Sequence, residues 1–155
     1  MSFKQQFPLG EEYYIDITRE CAHGGAWDNH IVLHVYQSST SMEVAKLLLR
    51  SLEPLSYSGF APTDFVQHGL RSVEPGKGHA HRMHDFLISH RAVLPFEIRN
   101  VYSTNPSTDN LYFVQPNQPR LYLSESAIRF WNKRIQQQKA EYVDELKRYR
   151  ITWDT

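Results

Sequence analysis

The chain has 155 residues, 41% apolar and 22% charged, and its 17 basic residues balance 17 acidic ones. That is the make-up of one soluble globular domain with an ordinary core; it excludes a disordered chain and argues against nucleic-acid or membrane-surface partners. With one cysteine, Cys21, no signal-like segment and no run near the roughly 18 apolar residues of a membrane span, the expected location is cytoplasmic.

Residues 12–18 are aromatic and β-branched and predict a short strand. Residues 21–29 hold Gly24 and Gly25 and read as a loop. Residues 30–36 form the clearest strand, nearly continuous in apolar character, as for a strand buried on both faces. Alternation sets Ile31, Leu33 and Val35 on one side and Val32, His34 and Tyr36 on the other. Thr40 and Glu43 then match a helix capping box, and Val44, Leu47, Leu48 and Leu52 recur at helical spacing up to Pro54. A strand is expected over 65–73 and a turn over 74–78. Residues 83–90 fit either element and are read as a strand; 96–102 alternate as another. After a turn at 105–110, residues 111–115 and 120–123 form an expected hairpin across Pro116 and Pro119. Ser124 caps an expected helix of about 25 residues to position 150, with no glycine or proline to stop it. Its stripe is Ile128, Trp131, Ile135, Tyr142, Leu146 and Tyr149. Trp131 and Ile135 should pack on a sheet; Tyr142, Leu146 and Tyr149 should overhang and pair with a second copy, making a homodimer. The sum is one α+β domain over 1–155, with a core at 12–123 and the terminal helix at 124–150.

Eight histidines stand out, all within the first 90 residues: 23, 30, 34, 68, 79, 81, 84 and 90. Histidine is the commonest protein metal ligand and the usual acid or base near neutral pH. His79, His81 and His84 are the densest group; they are either one arm of a site or a polar turn. His34 interrupts an apolar strand, and a buried imidazole needs partners for both nitrogens, so it marks a polar site or a well-bonded core position. His68 raises the same question, more weakly. No HExxH, CxxC, GxSxG or P-loop motif is present. The expectation is that His34 and His81 approach one another, with His79 or His84 beside them, as metal ligands.

Taken together, His34-Val-Tyr36 on a buried strand, His81 before the apolar Phe86-Leu-Ile88, and Leu111-Tyr-Phe-Val-Gln-Pro-Asn117 resemble the small DOPA dioxygenase family. Val32 and Gln115 stand where that family carries histidine. The resemblance implies a ferredoxin-like fold and a non-haem Fe(II) enzyme that cleaves the ring of a catechol-type aromatic substrate. His34 and His81 would be its catalytic residues, and His34, His79, His81 and His84 its metal ligands. Glu97 and Glu125 are carboxylates available to complete the set. The competing class is a non-catalytic ligand-binding or protein-interaction module that uses the long helix for dimerisation or partner binding.

Overall fold

The structure, a computed structural model, describes residues 2–21, 29–51, 63–73, 76–104 and 125–153. It is mixed α+β, and its residues group into two compact units, Met1–Val101 and Tyr102–Thr155. The expected hairpin over 111–123 lies outside the described residues.

In the first unit five strands follow one another as an antiparallel meander: β1 (Ser2–Leu9), β2 (Tyr13–Cys21), β3 (Asn29–Gln37), β4 (Glu43–Ser51) and β5 (Asp64–Ser72). The strands expected at 12–18, 30–36 and 65–73 are β2, β3 and β5. Register runs Phe7↔Ile15↔Val35↔Ala45, so these side chains share a face. Ile15, Ile17, Ile31, Leu33, Val35, Leu47 and Leu49 fill that face and are buried. The other face of β3 is only partly covered: Val32 is buried, whereas His34 and Tyr36 are half-buried.

Within the segment 40–52, expected as a helix, residues Glu43–Ser51 instead form strand β4. Its apolar residues satisfied both periods. Ala45, Leu47, Leu49 and Ser51 are buried while Lys46, Leu48 and Arg50 are half-buried, which is the period of two. A bulge at the start of β4 places Val44 as the extra residue, since Tyr36 pairs with Glu43 but Val35 with Ala45. The capping-box residues serve a hairpin turn. Thr40 Oγ1 accepts from the Met42 amide at 3.2 Å, a hydroxyl turn of the kind that competes with helix starts. Ser41 takes the left-handed conformation at φ 58°.

Residues 79–90, read in part as a strand, form helix α1 (His79–His90). Gly78 at φ 77° ends the preceding turn in a conformation that favours glycine, and Gly78 O accepts the first helical bond from the Arg82 amide at 3.0 Å. His79, Met83, His84, Phe86 and Leu87 are buried, a helical spacing that sets one face on the sheet. The strand expected over 96–102 shrinks to β6 (Asn100–Tyr102). Five strands precede the first helix, so the described elements do not follow the β-α-β-β-α-β order of a ferredoxin-like fold.

In the second unit the long terminal helix is not seen. Helix α2 (Glu125–Gln136) stops after 12 residues, and a hairpin of β7 (Ala140–Val143) and β8 (Arg148–Ile151) follows. Gln138 is left-handed at φ 63°, its amide donates to Ile135 O at 2.9 Å, and the Lys139 amide donates to Arg134 O at 2.9 Å. These two bonds are the Schellman pattern, made here without glycine. The stripe therefore folds back: Tyr149 of β8 stacks on buried Trp131 at 5.8 Å, and Tyr142 meets Tyr149 edge-on at 5.0 Å. The overhang that motivated a homodimer is absent from this arrangement. Glu141 and Arg150 face one another across the hairpin as an ion pair, and the Tyr102 end of β6 pairs with Arg150.

Candidate functional site

Register decides which histidines can meet. Helix α1 touches the face of the sheet that carries Phe7, Tyr13 and Gln67. The Phe7 and Phe86 ring centroids are 5.2 Å apart, those of Tyr13 and His79 are 4.9 Å apart, and His84 Nε2 lies 2.8 Å from Gln67 Oε1. His34 pairs in register with Asp16 and Lys46, which alternate with the residues of that face. It therefore projects from the opposite side. The sheet's own backbone separates His34 from His79, His81 and His84. The expected convergence of His34 and His81 does not occur, and among the described residues no three His, Cys, Asp or Glu side chains gather as a metal-holding group.

On the helix side the imidazoles bind the fold together. Arg82 Nη1 donates to His79 Nδ1 at 2.9 Å and to Lys77 O at 2.7 Å, and its guanidinium lies 4.9 Å from the Tyr13 ring centre. Because a guanidinium only donates, His79 Nδ1 must accept, and the neutral ring carries its proton on Nε2. His79 and His84 are buried, and His81 is half-buried on the same helix. At the helix's far end His90 stacks on Phe86 at 4.2 Å and meets Phe7 edge-on at 5.1 Å. Its Nδ1 lies 3.1 Å from Phe86 O. The side chain of His68, and His23 altogether, lie outside the described residues. Glu97 and Glu125 are exposed, away from any such group among the described residues.

The opposite face holds a different arrangement. His34 Nδ1 donates to Glu43 Oε1 at 3.2 Å, with the two side chains 22% and 29% exposed. The His34 ring lies nearly parallel to Tyr36, 25° and 6.2 Å between centroids. Tyr36 in turn stacks on Tyr14 at 5.1 Å and 18°. Asp16, beside His34 in register, is buried, and its carboxylate has Lys4 Nζ at 3.9 Å. Burial, and then the negative charges of Glu43 and Asp16, hold the Tyr36 hydroxyl above the usual tyrosine range. Tyr36 is thus a hydroxyl donor at neutral pH. Chemically the group offers an imidazole with a carboxylate behind it, a phenol that keeps its proton, and a row of three stacked rings.

Sequence reasoning singled out His34, as a metal ligand, and named Tyr36 only as its neighbour in the strand motif; it passed over Glu43 and Asp16. Glu43 was absorbed into the helix cap. Asp16 carried a readable signal: it alternates with Ile15 and Ile17, which puts it on the face opposite the core, as His34 is on β3. No family model matches the chain, and no curated protein or solved structure shows significant similarity to it.

Proposed function

We propose that the protein is a non-catalytic binding module that holds a small, flat, hydroxyl-bearing molecule on the sheet face opposite α1. The observation that supports this reading is the His34–Glu43 hydrogen bond set beside the Tyr14–Tyr36 stack. Small-molecule sites combine apolar or aromatic walls with a few placed polar groups, and this face supplies both. Tyr14, Tyr36 and His34 are half-buried, so they are ordered by the sheet yet open to a ligand.

Ring cleavage with Fe(II) asks for two or three imidazoles on one metal, with positions left open for substrate and O₂. His34 stands on one side of the sheet and His79, His81 and His84 on the other, and His79 Nδ1 is engaged by Arg82. Among the described residues, these histidines do not fit the iron that the resemblance to DOPA dioxygenases implies. A reducing compartment, the cytoplasm, suits the lone cysteine, and among the described residues no helix is long and apolar enough to cross a membrane.

The test is a titration of the whole chain with catechol, followed by amide chemical shifts. The expected perturbations centre on residues 14, 16, 34, 36 and 43, and His34→Ala removes them. Shifts confined to α1, or stoichiometric iron in protein purified without an affinity tag, would overturn the reading.

A further inference from the structure

We infer that β4 and β5 hold a second site on this face, for the phosphate group of a small phosphate monoester, with Lys46 and Arg71 as its cations and Gly69 as its floor. The site goes beyond the binding reading above, because different residues carry it. Lys46 and Arg71 are directly opposed in register, which sets their Cβ atoms about 4.5–5.5 Å apart on one face. Like charges so placed destabilise a sheet. Among the described residues neither side chain has an ion pair or a hydrogen bond. Lys46 also pairs with His34, so both cations stand on the face opposite α1. A bulge gives them a hollow. β5 turns Gln67 towards His84 on the α1 side, yet Gly69, two residues on, pairs with Leu48 on the opposite face; the register shift between Leu48 and Leu49 makes that reversal. Beyond its chain neighbours, a Cβ added at Gly69 would meet Leu48 Cβ at 3.9 Å and no other described atom within 4 Å. Arg71 is exposed and Lys46 half-buried, each two residues from this floor, about 7 Å along its strand.

The acids of this face are Asp16 and Glu20 on β2, Glu43 on β4 and Asp64 on β5. Asp16 has Lys4 at 3.9 Å, Glu43 has His34 at 3.2 Å, and Asp64 has Arg99 at 3.7 Å. Glu20 stands in register with His30, which pairs in turn with Arg50. Three of the four acids are thus engaged elsewhere and the fourth lies in another row, so Lys46 and Arg71 form the surplus. A phosphate monoester carries about two negative charges at neutral pH and offers three acceptor oxygens. It answers both cations, whereas a carboxylate leaves one of them unanswered. The guanidinium of Arg71 suits two phosphate oxygens through its fork, and the ammonium of Lys46 acts as a point charge.

The experiment titrates the whole chain with phenyl phosphate and, at equal ionic strength, with benzoate, following backbone amide shifts and melting temperature. Phenyl phosphate is expected to move residues 46, 48, 69 and 71 and to raise the melting temperature more than benzoate does. Arg71→Gln and Gly69→Leu should each weaken phenyl phosphate about tenfold or more, the first by removing a charge-assisted hydrogen bond, the second by filling the hollow with no change of charge. Lys4→Gln, on the same face but beside Asp16, should leave the affinity unchanged. If Gly69→Leu fails to fold by circular dichroism, Lys46→Gln takes its place. Binding that survives these variants, or that Lys4→Gln weakens as much as Arg71→Gln does, overturns the site in favour of diffuse charge. Binding of a single-stranded oligonucleotide, with no phenyl phosphate shifts at these four residues, overturns it in favour of a nucleic-acid surface. The catechol titration at residues 14, 34, 36 and 43 is a separate measurement, and its failure sinks the binding reading alone.

Discussion

Replacing Gln138 with glycine separates the observed second unit from an uninterrupted terminal helix by the sign of one stability change. In the structure Gln138 sits at φ 63°, closing α2 before β7. A side chain in that region costs about 1–2 kcal/mol from contact between Cβ and the following carbonyl oxygen. Glycine removes that cost but gives the unfolded chain extra freedom, worth about 0.4–1 kcal/mol. The net expectation is stabilisation by about 0.5–1 kcal/mol. Were residue 138 inside a continuous helix, glycine would instead destabilise by about 1 kcal/mol. The two arrangements thus differ by about 1.5–2 kcal/mol and in direction. Urea unfolding followed by tryptophan fluorescence reads the change, because Trp131 and Trp153 of the three tryptophans lie in this unit. A midpoint that falls in Gln138→Gly, with the slope unchanged, refutes the turn.

Arg82→Ala should destabilise the first unit by about 1–3 kcal/mol in urea unfolding, because it strips the buried His79 of its donor as well as the contact over Tyr13. Arg82→Lys should recover only part of this, since an ammonium cannot serve two acceptors and a ring as a planar guanidinium does. Phe86→Ala should cost about 3–5 kcal/mol, as Phe86 is buried between Phe7 and His90; a loss under 1 kcal/mol would mean α1 does not pack there. Tyr36 gives a pH dependence with a definite sign. Its hydroxyl is held above 10.0, so the unfolded chain loses this proton first. The contribution is intact below pH 10 and is lost as pH rises through the folded-state value. Melting temperature should fall through that window in the unmodified protein and fall less in Tyr36→Phe.

What could be read from the sequence depended on whether one period or two fitted. Residues 30–36 hold three consecutive apolar residues and then alternate, which no amphipathic helix of that length explains, and β3 formed as expected. Residues 44–49 hold five apolar residues in six, so helical and strand patterns both matched. The hairpin partner decided between them: the second edge of β3 pairs with β4. In α1 the buried set His79, Met83, Phe86 and Leu87 was visible at spacings of four and three, but it required treating His79 as a core residue. In α2 the stop at Gln136 had no glycine to announce it; the hydrogen bonds of the turn, not local preference, hold Gln138 left-handed.

The candidate site followed the same logic one level up. A histidine in an apolar strand has its surroundings set by cross-strand neighbours, and these are fixed by register, which composition does not carry. Once β4 is a strand, Glu43 lies on the face of Tyr36 and one bulge away from His34, and the bulge is what lets its carboxylate reach Nδ1. As a helix cap, the same Glu43 would have turned back towards Thr40 and left His34 without a carboxylate partner. The His34–Glu43 pair is therefore a product of the β3–β4 hairpin, and a change that removes its bulge tests the pair without touching either residue. Deleting Val44 does this most directly. Without the extra residue, Ala45 takes the place beside Glu43, the bulge closes, and the pairs Tyr36↔Glu43, Val35↔Ala45 and His34↔Lys46 form one regular ladder. The hydrogen-bonded Nδ1 proton of His34, observed by NMR at low temperature, should then lose its downfield shift while the resonances of α1 stay in place. A persistent downfield proton in the deletion variant would show that the pair does not depend on the bulge.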